Sequence, residues 1–179
     1  MATEDDTTSI GITFEKFNEK TMDFLQWLNT FEQLVTSLNI PDNETVRFLF
    51  DWLEPSVFPK IREKISPVNP YELPYDELIA VLTEMFTNVQ AKDVADYRFL
   101  TRVQLPYESV DEYVLSLWQL SSKCFSIYKT SSYLQNIFMK GLYDQETKEF
   151  LKRYTNLSLS NAIAIAKQIE LEKKGEIRI

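Results

Sequence analysis

The sequence predicts an all-α protein made of two small helical bundles joined by a short linker. Apolar residues recur at helical spacing in one segment after another. Only three glycines, Gly11, Gly141 and Gly175, occur in 179 residues, too few for a fold rich in hairpins. Hydrophobic residues make up 44% of the chain, which is globular composition and enough for one core or two small ones.

Residues 1–13 are expected to be a flexible N-terminus. From Met22 the pattern turns helical: Phe24, Trp27, Leu28, Phe31, Leu34, Val35 and Leu38 form one apolar stripe. Asn39-Ile40-Pro41 breaks it. Asp42 is placed to cap a second helix, Asn43 to about Leu53, with Val46, Leu49, Phe50 and Leu53 inward. Pro55 and Pro59 bracket a short third helix, expected over Val57 to Ile65. Pro67, Pro70 and Pro74 make Ser66 to Pro74 an extended loop. Tyr75 to Phe86 reads as a fourth helix, with Leu78, Ile79, Leu82 and Phe86 inward. The polar break at 87–90 separates a first bundle, 14–88, from a second, 89–172, with 173–179 as a flexible tail.

In the second bundle, Asp93 to Arg102 is expected to carry Val94, Tyr97 and Leu100 inward. Ser109-Val110-Asp111-Glu112 is a capping box, in which each end residue bonds the other's backbone N–H. The following helix buries Val110, Tyr113, Val114, Leu117, Leu120, Ser121 and Cys124, and runs to about Phe125. Ser131 or Ser132 caps a helix ending at Lys140, with Gly141 as a left-handed stop. Gln145 to Tyr154 is the next helix. The last starts near Ser158, keeps Ala162, Ile165, Ala166 and Ile169 on one face, and frays from Glu170.

The chemistry these residues exclude is as informative. Histidine is absent and Cys124 is the single cysteine. No zinc site, Ser-His-Asp triad or Cys-His pair can be assembled from them, and no phosphate-binding glycine loop occurs. The expectation is a non-enzyme with no cofactor and no metal. The net charge is -8, from 27 acidic and 19 basic residues. Nucleic-acid binding needs clustered Lys and Arg, and the densest basic run, Lys148, Lys152 and Arg153, is interleaved with Glu146 and Glu149 as on a solvated helix face. No apolar run approaches the roughly 18 residues of a membrane span. The acidic N-terminus resembles neither a signal peptide nor a myristoylation site. One lone cysteine suits a reducing, cytoplasmic setting.

Several segments, taken in order, resemble the capsid region of gypsy-type long-terminal-repeat retrotransposon Gag proteins, whose relatives include domesticated Arc-type Gag. They are Phe24 to Glu32 with Trp27 and Phe31; Phe48 to Leu53; Tyr75-Asp76-Glu77-Leu78 with Leu82 and Phe86; Phe99, Arg102, Gln104 and Glu108 to Val114; Ile137 to Leu142; and Ser158 to Ala166. The resemblance covers roughly residues 20–172. It implies that the two bundles are retroviral-type capsid N-terminal and C-terminal lobes. It implies self-assembly into virus-like particles that enclose retrotransposon RNA. The expected partner is the chain itself, through rings of N-terminal lobes and dimers of C-terminal lobes. RNA would be bound only indirectly, through a segment not among these residues. The competing expectation is a domesticated Arc-like Gag acting as a peptide-binding adaptor or intercellular RNA carrier.

Gln104-x3-Glu108 also resembles the start of the retroviral major homology region, Q-x3-E-x7-R. The arginine position of that pattern falls on Ser116, so the polar network it completes must be absent or rebuilt. Gln104, Glu108, Ser109, Glu112 and Tyr113 are read as the turn and cap that determine the fold of the second bundle. Position by analogy makes Tyr133, Asn136 and Lys140, on the helix after it, the candidate dimer contacts. Trp27 is assigned to the core and Trp118 to a lobe edge.

Overall fold

The computed structural model describes residues 13–124 and 130–175. Among them are nine α-helices and no strand. The chain divides into two compact units, Met1–Ala91 and Lys92–Ile179.

The first unit holds α1 (Phe24–Ser37), α2 (Asp42–Asp51), α3 (Val57–Ile65) and α4 (Tyr75–Phe86). Asp23 caps α1, its carboxylate accepting from the Gln26 N–H. The 3.6-residue stripe then turns Phe24, Trp27, Leu28, Phe31 and Leu34 into the interior. Leu49, Leu53, Val57 and Ile61 meet them with Leu78, Ile79 and Leu82 of α4. Asp42 is not the cap of α2. Pro41 takes that position without a side-chain bond, and Asp42 and Glu44 lie in the first turn, where acidic groups complement the helix dipole. The proline loop is not wholly extended: Pro70–Glu72 forms one 3-10 turn, capped by Asn69, and buries Pro70.

The extended residues before α1 belong to this core. Phe17 is fully buried and forms an isolated parallel bridge with Leu53.

The second unit holds α5 (Val94–Thr101), α6 (Val110–Ser122), α7 (Ser131–Gly141), α8 (Gln145–Leu151) and α9 (Leu159–Lys173). Val110, Tyr113, Val114, Leu117, Leu120 and Cys124 pack with Phe99, Phe138, Leu142, Leu151, Ala162 and Ala166. Phe125, the expected end of α6, lies outside the described residues. So do residues 1–12 of the expected flexible N-terminus and 176–179 of the tail.

Several expectations for this unit are corrected. Tyr97 and Leu100 are exposed, and α5 turns Val94, Arg98 and Phe99 inward instead. A helix of eight residues leaves the phase of its stripe underdetermined, and two arginines, Arg98 and Arg102, occupy interior positions. Thr130, not Ser131 or Ser132, is the N-cap residue of α7. Helix α8 stops at Leu151 rather than Tyr154. Helix α9 does not fray at Glu170 but continues to Lys173, because Glu170, Lys167 and Lys173 each bond to another element. Glu170 accepts from the Val110 N–H at 3.1 Å, Lys167 pairs with Asp111 at 2.9 Å, and Lys173 pairs with Asp144 and Glu146 at 2.9 and 2.7 Å.

Candidate functional site

The capping box forms as the spacing requires. The Glu112 N–H donates to Ser109 Oγ at 3.2 Å, and the Ser109 N–H donates to Glu112 Oε2 at 2.7 Å. Helix α6 therefore starts at a fixed residue, which aims Tyr113 into the core, where it is fully buried.

Gln104 lies just ahead of this cap and is buried. Its amide is used at both ends. Nε2 donates to the Glu108 carbonyl at 2.8 Å, and Oε1 accepts from the Tyr143 N–H at 2.9 Å. Its backbone N–H donates to the Gly141 carbonyl at 2.7 Å. One residue thus fastens the α5–α6 connection to the α7–α8 connection.

Glu108 and Arg102 form a buried ion pair at 2.5 Å, with both side chains essentially withdrawn from solvent. The second carboxylate oxygen of Glu108 accepts from the Leu105 N–H at 2.9 Å. Burial pushes the Glu108 carboxyl above its ordinary value, against the opposing pull of the Arg102 charge. The guanidinium also donates from Nε to Ser116 Oγ at 3.0 Å and from Nη1 to the Val103 carbonyl. It lies over the Tyr113 ring at 5.5 Å.

A buried polar network therefore forms here without an arginine at position 116. Its cation arrives from the C-cap of α5, and Ser116 accepts a hydrogen bond from it. Arg102 belongs to the segments that resemble the family, and spacing alone gives it no role. Nothing in helical periodicity marks a helix-ending arginine as interior, whereas the small hydroxyl at the vacated position was the available signal.

Tyr113 Oη donates to the Ile137 carbonyl at 3.1 Å. Burial raises the phenol well above its ordinary value, with Arg102 acting against it. Gly141 is the last residue of α7, not a left-handed residue beyond it. A Cβ there would lie 2.0 Å from Tyr113 Oη and 2.8 Å from the Arg102 carbonyl oxygen. Glycine is required by close approach of the chains, not by backbone handedness.

The candidate contact residues Tyr133, Asn136 and Lys140 are all exposed on α7, while Ile137 and Phe138 face inward. Trp27 is buried, and Trp118 is 51% exposed. Lys152 and Arg153 are exposed, and Lys148 is half-buried. The first unit carries an open groove of about 600 Å³ between α2 and Tyr71, lined in part by Ile40, Val46, Arg47 and Phe48. Among the described residues no cluster of Cys, Asp or Glu could hold a metal, and no helix is long and apolar enough to cross a membrane.

Two all-helical units, the second centred on a buried Gln–Glu–Arg network beside a capping box, define an all-α protein. The model of the PNMA-like, C-terminal domain family matches residues 11–136, and the chain belongs to that family. This family is related to domesticated Gag and Ty3/gypsy capsid genes. No curated protein and no solved structure matches the chain.

Proposed function

We propose that the chain is a structural Gag capsid protein that self-assembles into particles. The observation that carries this reading is the buried Arg102–Glu108–Gln104 network, joined to the capping box of α6. Membership of a family related to domesticated Gag genes supports it. Assembly uses several small interfaces per copy, each below the roughly 1,200 Å² of a standard stable complex and weak alone. Closed symmetry and multivalency make them cooperative. Tyr133, Asn136 and Lys140 on the exposed face of α7 supply one of these contacts. Particles form in the cytoplasm, and a charge of -8 per copy leaves RNA contact to other, basic segments.

Like charge also sets the conditions. Copies repel until salt shortens the screening length to about 10 Å or less. Analytical ultracentrifugation and electron microscopy of the purified chain should show concentration- and salt-dependent oligomers and particles. A monomer at every concentration and ionic strength would remove the proposal. The groove on the first unit favours a second reading, an adaptor that holds a partner peptide. That reading requires a monomer whose resonances shift in residues 24–86 when peptide is added.

A further inference from the structure

The segment Phe14–Phe17 crosses the first unit as an extended strap held through its backbone. The Phe17 N–H donates to the Trp52 carbonyl at 2.8 Å, and the Glu54 N–H donates to the Phe17 carbonyl at 3.2 Å. Trp27 Nε1 donates to the Glu15 carbonyl at 2.9 Å. Two rings supply the apolar part. Phe14 lies 5.6 Å from Trp27 and 4.9 Å from Trp52, and Phe17 lies 5.0 Å from Phe86. The strap thus joins the α2–α3 connection through one isolated bridge and seats its two rings in an aromatic groove formed by Trp27, Trp52 and Phe86.

We infer that this strap is exchangeable and that its occupancy of the same groove on a second copy of the chain forms an interface between copies. Three features carry the inference. The groove's occupant is identified, because the strap is seated in it, and a second copy brings an identical one. The contacts made in exchange are the same contacts, so exchange costs only what changes in the hinge. The hinge, residues 18–22, holds to the rest of the unit through partly exposed polar contacts, Asn18 to Glu54 and the Glu19–Lys60 ion pair, of a kind that contributes little, and through partly buried Met22; within it the Thr21 and Met22 N–H groups donate to the Asn18 carbonyl at 3.2 and 3.0 Å and the Lys20 N–H to Asn18 Oδ1 at 2.9 Å. Extended, five residues reach at most about 17 Å, enough to cross to an adjoining copy.

Concentration decides between the two arrangements. A short tether presents the strap to its own groove at an effective concentration on the order of millimolar. Exchange becomes competitive only where copies are packed to comparable density. The inference therefore rests on the self-association proposed above and concerns oligomers, not the dilute monomer.

Asn18 Nδ2 bonds Glu54 Oε1 at 3.0 Å, so this pair reports where the strap is seated. N18C and E54C are made separately in a C124S background, one copy tagged for size, then mixed at high concentration and oxidised. The expected result is an N18C–E54C link between chains in the oligomeric fraction, in clear excess over an N18C–S37C control pair, with a yield that rises with protein concentration. A second measurement shortens the hinge by deleting Lys20 and Thr21, so that the strap no longer reaches its own groove. Light scattering should then find a dimer with unchanged helix content by circular dichroism. Oligomers that form without the N18C–E54C link overturn the exchange and leave self-assembly standing. Linked dimers that never proceed to particles sustain the exchange and count against the capsid reading. A chain that stays monomeric and unlinked sinks both.

Discussion

Replacing Gly141 by alanine separates two reasons for a glycine at the end of α7. If the position needed left-handed backbone, alanine would cost about 1 kcal/mol and asparagine would be tolerated better. The structure gives Gly141 no positive φ and places the new Cβ 2.0 Å from Tyr113 Oη and 2.8 Å from the Arg102 carbonyl. Helix preference alone would favour alanine by up to about 1 kcal/mol. Against it stand overpacking, typically about 1–3 kcal/mol and sometimes more, and about 1 kcal/mol for the displaced Tyr113–Ile137 hydrogen bond. With that preference offsetting the lost hydrogen bond, the net expectation is a loss of roughly 1–3 kcal/mol, with asparagine worse than alanine because it is larger. Tyr113→Phe alone should cost about 1 kcal/mol, the value of one buried hydrogen bond. It also removes the oxygen that the new methyl strikes, so the double variant should fall short of the summed losses by about 1–2 kcal/mol, beyond the roughly 0.5 kcal/mol at which sites count as independent. Urea denaturation measures the totals, and native-state hydrogen exchange of α6 and α7 amides reads the second unit separately. Additive losses, or an asparagine variant at least as stable as the alanine one, would refute the packing argument.

Arg102→Met strands the Glu108 carboxylate in the interior and should cost about 3–5 kcal/mol, whereas Arg102→Met with Glu108→Gln should cost less than the two single losses combined, as read by urea denaturation. The Glu108 carboxyl is raised from 4.5 by burial, so between 4.5 and its raised value the folded chain holds a proton the unfolded chain has released. Stability therefore falls as pH rises through that window, and thermal melts of Glu108→Gln across it should lose this component of the slope. Asp144 behaves oppositely: burial tends to raise its carboxyl, but hydrogen bonds from Lys173 and Thr147 outweigh that and hold it below 3.8. Its contribution is complete above 3.8 and fades as pH falls further, and Asp144→Asn should flatten that acid limb of the melting curve. Tyr133→Ala with Lys140→Ala should leave the melting temperature of the monomer within the small range of surface changes while weakening oligomers in sedimentation; unaltered oligomers would take α7 out of the interface.

The helices were legible in the sequence where the apolar stripe was long. Fourteen residues of α1 fix the phase of the stripe, and Phe24 to Leu34 turn inward as the spacing demands. Helix α5 is too short to fix it. There, hydrophobicity points to Tyr97 and Leu100, while the interior takes Arg98 and Phe99. The cap at Ser109 was legible because a capping box is a local chemical pattern whose two bonds close within four residues. The Arg102–Ser116 bond was not, because it joins positions fourteen apart across the break between α5 and α6, so no single periodic segment contains both. Phe14 and Phe17 were passed over for a related reason: they lie outside every periodic segment, and their partners Trp27, Trp52 and Phe86 are brought to them only by the tertiary fold. Gly141 was noticed for the wrong reason, since a glycine after a helical run suggests a stop, and the ring that forbids a side chain there comes from another helix.

The placement of the arginine at the centre of the second unit has a consequence for evolutionary drift. The Arg102 guanidinium occupies the space above Ser116, so a long side chain at 116 and an arginine at 102 exclude each other. Passing between the two arrangements needs two substitutions, and the intermediate either leaves the Glu108 carboxylate without its cation or crowds two cations onto it. Positions 102 and 116 should therefore change together across descendants, with arginine at one and a small residue at the other. A lineage would cross between the two states rarely, and once across would keep its arrangement.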